Sequence, residues 1–124
     1  MKLILGNPGS GKTKEMLALS EANQIPLLCE SEARKQRLLV KARGYGFNNV
    51  PTPLTLADLN PTVTKVYVDD IERLFEQALN VKLECLALNR ESSFELVDLD
   101  NPRKSAIALV LAIILSTSLF ILPL

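Results

Sequence analysis

Apolar positions along the chain fall into short runs separated by polar, Gly-marked and Pro-marked punctuation, and the spacing within each run predicts its element. Residues 2 to 5 form a brief apolar run that ends at Gly6, the pattern of a buried parallel strand. From Lys12 to about Asn23, Met16, Leu17, Leu19 and Ala22 gather towards one face with charges opposite, which predicts a helix covering a sheet. Pro26 ends the helical options; Ile25 to Cys29 reads as a second strand. Ser31 is placed to cap a helix running to about Arg43, with Gly44 as its left-handed terminal residue. Positions 44 to 64, rich in Gly, Asn, Pro and Thr, read as loop with a short strand over Asn49 to Thr52. Lys65 to Asp69 is an apolar strand ending in two carboxylates. A helix from about Ile71 to Leu79 follows, with Ile71, Leu74, Phe75 and Ala78 on one face and Asn80 as its stop. Val81 to Leu88 is the next expected strand, and Phe94 to Val97 an edge strand before Asn101-Pro102.

Strands alternating with helices imply right-handed crossovers, so the expected fold class is α/β, a three-layer sandwich with a mostly parallel sheet. The last twenty positions break this pattern. From Ser105 to Leu124 there is no charge, and at about 1.5 Å per residue a helix of that length matches a hydrocarbon core of about 30 Å. Ser116, Thr117 and Ser118 can return their hydroxyls to backbone carbonyls in lipid. Arg103 and Lys104 flank the segment, and positive residues stay on the cytoplasmic side. The expected organisation is a domain over 1–100, a basic juxtamembrane linker over 101–104 and a single transmembrane helix over 105–124, with the N-terminal domain cytoplasmic. The competing reading makes the tail a core helix or strand pair that completes the sheet.

Composition narrows the chemistry. The chain has 124 residues, no histidine and two cysteines, which excludes a zinc site in practice. Cys29 and Cys85 both lie in segments read as buried strands, a placement suited to a reducing compartment. Lys plus Arg and Asp plus Glu number 14 each, so the overall charge gives no argument for a nucleic-acid partner. Locally, Arg34, Lys35, Arg37, Lys41 and Arg43 crowd one predicted helix among Leu38, Leu39 and Ala42, a surface that nucleic acid or anionic lipid could meet. The cations gather towards the helix C-terminus as its dipole alone would favour, so a solvated face is the simpler reading. Tyr45 and Phe47, in the loop that follows, could stack on a base.

Gly6-Asn7-Pro8-Gly9-Ser10-Gly11-Lys12-Thr13 fits G-x-x-x-x-G-K-[ST] without a mismatch, between a predicted strand and a predicted helix. A polyphosphate must be surrounded closely by backbone N–H groups, and glycines permit both the turn and the approach. The helix N-terminus adds its positive dipole end. Lys12 supplies a mobile charge for the β and γ phosphates, and the Thr13 hydroxyl is suited to magnesium.

Through this motif, most of residues 1 to 89 resembles the P-loop NTPases. Val66-Tyr67-Val68-Asp69-Asp70 looks like that family's second signature, an apolar strand ending in an acidic residue beside magnesium. The resemblance implies binding of ATP or GTP with Mg2+ by Gly6, Asn7, Pro8, Gly9, Ser10, Gly11, Lys12 and Thr13, and a metal shell drawn from Thr13 and Asp69. It implies catalytic roles for Lys12 and for Asp70, which stands where many members carry a water-polarising glutamate and is one methylene shorter; Glu72 is the alternative base. Both carboxylates reach one site only if the strand has ended before them, and either could instead cap the helix beginning near Ile71. Asn89 stands where members of the subgroup with an additional central strand carry a γ-phosphate sensor, though Asn after a strand is commonly a turn residue. Arg90 reads either as an arginine finger or as a solvated side chain. The absence of an N-K-x-D run tilts the base towards adenine.

The order of a nucleotide domain and then one membrane span is similar to zonula occludens toxin-like phage assembly ATPases, in architecture only. Three functions follow: a membrane-anchored ATPase whose nucleotide state is coupled to a partner or to a second copy in an oligomer, a non-hydrolytic nucleotide-binding interaction module, and a small nucleotide kinase. The kinase needs an acceptor pocket and usually a lid, for which the soluble part leaves little room.

Overall fold

A computed structural model describes residues 1–89 and 95–100. The expectations for Arg90, for Phe94 and for the tail 105–124 lie outside the described residues. Within them the chain is mixed α/β with small parallel sheets, and no helix among the described residues is long and apolar enough to cross a membrane. The described residues divide into two compact units, one of residues 1–12 with 88–89 and 95–100, and one of residues 13–87.

In the first unit, β1 (Lys2–Leu5) pairs in parallel with β4 (Glu95–Asp98), with Lys2 opposite Glu95 and Leu5 opposite Asp98. The amide of Glu95 donates to the Met1 carbonyl at 3.0 Å and that of Leu99 to the Leu5 carbonyl at 2.8 Å, extending the ladder at both ends. The edge strand expected near 94 to 97 is therefore present, and its neighbour is the strand that leads into the glycine-rich turn.

The second unit is built on α1 (Lys12–Asn23), β2 (Leu27–Leu28), α2 (Glu32–Gly44) and β3 (Tyr67–Val68). β2 and β3 pair in parallel, Leu27 with Tyr67 and Leu28 with Val68, and Leu28 also bridges in parallel to Leu54. Leu17, Leu27 and Leu38 are fully buried, joined by Leu28, Cys29, Ala42 and Leu74. Each such leucine removed from water contributes about 1.5–3 kcal/mol. Leu38 and Ala42 lie four apart on α2 in one buried stripe, while Arg37, Lys41 and Arg43 stay exposed. Ser20, also buried, donates its hydroxyl to the Ile25 carbonyl at 2.6 Å and ties the end of α1 to the start of β2.

The caps explain where helices begin. The Ser31 hydroxyl accepts from the Arg34 amide at 3.1 Å, the expected cap of α2. The helix continues through Gly44, and the left-handed residue is Gly46 (φ 85°), so the assignment of Gly44 to that role is corrected. The Phe47 amide reaches back to the Ala42 carbonyl at 2.8 Å across this turn, which satisfies a terminal carbonyl two residues later than the composition suggested.

Other strand expectations change in extent. Ile25 to Cys29 shortens to Leu27–Leu28 and Lys65 to Asp69 to Tyr67–Val68. Asn49 to Thr52 is irregular, and the backbone pairing falls at Leu54, whose amide and carbonyl bond Leu27 and Cys29 at 2.7 and 2.8 Å. The helix after Asp70 begins as α3 (Ile71–Arg73) and passes into a π-helical turn, Leu74–Ala78. Val81 to Leu88 is not a strand. It pairs with no strand among the described residues, and Val81, Leu86 and Leu88 are exposed. An apolar run becomes a strand only where a neighbour takes its backbone groups. Cys29 is buried and Cys85 exposed, both unbridged, so the expectation of two buried cysteines holds for Cys29 alone.

A short helical turn, Leu56–Asp58, is anchored by charge: the Asp58 carboxylate accepts from Lys35 Nζ at 2.8 Å and from the amide and hydroxyl of Thr55 at 2.9 and 3.1 Å. The Lys35 ammonium, then the Thr55 amide, holds the Asp58 carboxyl down at about 2. A carboxylate whose folded value is depressed contributes stability above its unfolded value near 3.8, and that contribution is lost as pH falls through about 2. The Asp58 carboxyl carbon is expected to titrate by NMR with a midpoint near 2 in wild type; a midpoint near 3.8 removes this anchor.

Candidate functional site

The boundary between the two units falls inside α1, between Lys12 and Thr13, so the glycine-rich motif contributes residues to both. In the first unit β1 ends at Leu5 and the chain turns at once. Gly6 is required there because a Cβ would collide with the Ser10 side chain and crowd Lys12 Cγ at 3.3 Å. Gly9 and Gly11 take left-handed backbone, with φ of 84° and 94°, which costs a glycine little. The Ser10 amide donates to the Asn7 carbonyl at 3.0 Å and closes the turn. Lys12 folds back over it, its ammonium donating to the carbonyls of Gly6 at 2.6 Å and Asn7 at 2.9 Å. The Asn7 amide donates to Asp100 Oδ2 at 2.5 Å, so one amide of the loop already meets an anionic oxygen. Pro8 lies in this turn, and Asn89, in the same unit, is exposed in irregular chain because the strand expected before it is not formed.

In the second unit the Thr13 hydroxyl donates to Asp69 Oδ2 at 3.0 Å, across 56 positions of sequence. The two residues assigned to the metal on sequence grounds are therefore in direct contact. Asp69 is 7 % exposed, at the end of β3, and the same Oδ2 accepts from Arg34 Nη2 at 2.9 Å. Arg34 is itself buried. The solvated reading of the basic helix thus fails for Arg34, and for Lys35, which reaches Asp58 and Glu32 at 2.8 and 3.1 Å. The signal was available: Arg34, Leu38 and Ala42 recur every four positions and are the three buried residues of α2.

Asp70 behaves differently from its neighbour. β3 has ended at Val68, yet Asp70 points outward, with left-handed backbone at φ 64°. Its carboxylate accepts from the Arg73 amide at 3.2 Å and lies 3.8 Å from Arg73 Nε, so it caps α3. Glu72 is exposed on the same helix. Among the described residues neither shares a hydrogen-bond donor with Asp69, which takes the inward position.

Glu30, which the sequence did not single out, is 8 % exposed, and neither carboxylate oxygen has a hydrogen-bond partner among the described residues. It stands two positions past the end of β2, beyond Cys29, while Asp69 directly follows β3, at the carboxyl end of the same parallel pair. Burial pushes the Cys29 thiol up, with Glu30 adding to the rise and Lys35 and Arg34 opposing it. The loop of Tyr45 and Phe47 carries a tilted aromatic pair, 6.1 Å between centroids, with Lys14 Nζ 5.5 Å from the Tyr45 ring. That ring thus has a cation as its partner.

No group of three or more potential metal-ligating side chains occurs among the described residues. A magnesium ion carried by a triphosphate needs fewer, since it keeps waters and phosphate oxygens and takes one or two protein oxygens. A hydroxyl and a carboxylate 3.0 Å apart fit that requirement. Searches for related proteins found no matching family model, no matching curated protein and no matching solved structure.

Proposed function

We propose that the chain binds a nucleoside triphosphate, ATP in preference to GTP, together with Mg2+, and hydrolyses it in step with a protein partner or a second copy. The single observation that carries this is the hydrogen bond from Thr13 to Asp69, because the sequence assigns both to one metal and nothing in their spacing forces them together. Gly6, Asn7, Pro8, Gly9, Ser10 and Gly11 form the cradle of this reading, and Lys12 exchanges the carbonyls of Gly6 and Asn7 for phosphate oxygens. Thr13 and Asp69 hold the ion. An ion held by these two side chains would supply charge neutralisation to the triphosphate. In the finer fold that goes with this function, the described strands belong to a small P-loop NTPase sandwich, and residues 105–124 form the membrane anchor.

A non-hydrolytic interaction module is the second reading, and the commitment of Asp70 to a helix cap favours it, since a carboxylate spent on an amide is poorly placed to polarise water. Calorimetry with Mg2+ and a non-hydrolysable ATP or GTP analogue, paired with phosphate release from ATP, decides between them. Binding with turnover supports the ATPase, binding without turnover in the presence of partner or membrane supports the module, and no binding rejects both. Run on full-length chain reconstituted in vesicles, the same samples test the anchor: release by alkaline carbonate would reject it.

A further inference from the structure

The second unit places two buried carboxylates, Asp69 and Glu30, where only one buried guanidinium, that of Arg34, is at hand. Arg34 is spent on Asp69 at 2.9 Å, and Glu30 has no partner for either oxygen among the described residues. Lys35 is engaged elsewhere, by Asp58 and Glu32. Glu30 stands four positions before Arg34, on either side of the Ser31 cap, and both charges act on the thiol of Cys29 that follows β2. A buried carboxylate without a donor is costly, so a state of the chain that brings a donor to it is favoured by that cost.

Asp69 Oδ2 has two in-plane lone pairs, and the donors of Thr13 and Arg34 occupy both. A divalent cation entering the Thr13–Asp69 site brings two positive charges to the same carboxylate and repels the guanidinium held there. Metal and Arg34 therefore compete for Asp69.

We propose that Arg34 is a two-position latch, bonded to Asp69 in the nucleotide-free chain and transferred to Glu30 when Mg2+-nucleotide takes Asp69; this rests on the nucleotide reading above. The transfer breaks one charge-assisted hydrogen-bonded pair and forms another, with no net loss of paired charge inside the unit. Without a receiving carboxylate, loading the metal would strand a buried guanidinium. With it, the ion that displaces Arg34 also satisfies Glu30, so the latch couples occupancy of the metal site to the start of α2.

The test is Glu30→Gln in the full chain, titrated by calorimetry with a non-hydrolysable ATP analogue in Mg2+ and again in EDTA, alongside NMR of the Arg34 side-chain Nε–H. The substitution keeps the shape and removes a buried unpaired charge, so the variant is expected to melt no lower than wild type. Its affinity in Mg2+ is expected to fall about tenfold, with affinity in EDTA unchanged. The Arg34 signal is expected to move on adding Mg2+-nucleotide to wild type and to move differently in the variant. Equal affinities in Mg2+, or equal losses with and without the metal, would overturn the latch, as would an Arg34 signal in wild type that ignores the ligand. A carboxylate that served only to accept a proton from water would give the first of these. If wild type itself binds no nucleotide in either condition, the nucleotide reading falls, and the latch with it. If Glu30→Gln does not fold, the wild-type Arg34 signal alone decides.

Discussion

Asp69→Ala added to Glu30→Gln is expected to lower the stability of the chain by about 3–5 kcal/mol relative to Glu30→Gln alone, the cost of removing one partner from a buried ion pair when no second carboxylate receives the other. Arg34 and Asp69 are 8 % and 7 % exposed and meet at 2.9 Å, so with Glu30 neutralised the substitution leaves a guanidinium inside the second unit with no counter-charge to take it. The Thr13 hydroxyl loses its acceptor in the same step. Small domains are stable by about 5–15 kcal/mol, so a loss of this size takes a fifth or more of what holds a typical one together. The magnitude reflects the stranded charge and not the worth of the pair. Removing both charges together, as in Arg34→Met with Asp69→Leu, is therefore expected to recover most of the loss. Urea denaturation of these variants, all in the Glu30→Gln background, measures this; a loss below about 1 kcal/mol on adding Asp69→Ala would mean that the pair behaves as a solvated surface bridge.

Lys12→Ala has the opposite profile: a small effect on folding and a large one on ligand. The ammonium bonds two backbone carbonyls, those of Gly6 and Asn7, in an exposed or half-buried setting. Removing it returns those carbonyls to water at a cost of about 1 kcal/mol or less. Against a triphosphate the same ammonium makes charge-assisted bonds of about 1.5–3 kcal/mol each. Losing two of them weakens binding by roughly 100-fold or more, since about 1.4 kcal/mol is tenfold. Lys12→Arg keeps the charge but replaces a compact rotatable head with a planar fork, and is expected to rescue little. Calorimetry with Mg2+ and the non-hydrolysable analogue reads the change, with circular dichroism to show that the fold persists. Affinity unchanged in a folded Lys12→Ala would reject the phosphate loop.

The elements that proved legible are those whose causes lie within a few residues. A strand that must turn at Gly6, the left-handed glycines at 9 and 11, the Ser31 cap and the full span of α1 are all consequences of local sterics and of backbone donors seeking the nearest acceptor. The glycine-rich motif and the acidic end of β3 belong to the same class, because each is a contiguous string whose chemistry is written in its residue types.

The structure alone decided which distant groups met. Val81 to Leu88 carries the same apolar signal as Lys2 to Leu5, but among the described residues only the latter finds a strand to pair with, because strand formation depends on a neighbour's backbone and not on the run itself. Asp69 and Asp70 are the same residue type side by side; one is drawn inward by a guanidinium 35 positions away and the other is held outward by the amide of Arg73. Arg34 reads as one of five cations on a helix until Asp69 fixes it inside, and Glu30 acquires meaning only once its oxygens are seen to lack donors among the described residues. Short-range geometry was thus set by sequence, while the pairing of buried charges was set by packing, since burial is a property of surroundings that no single segment contains.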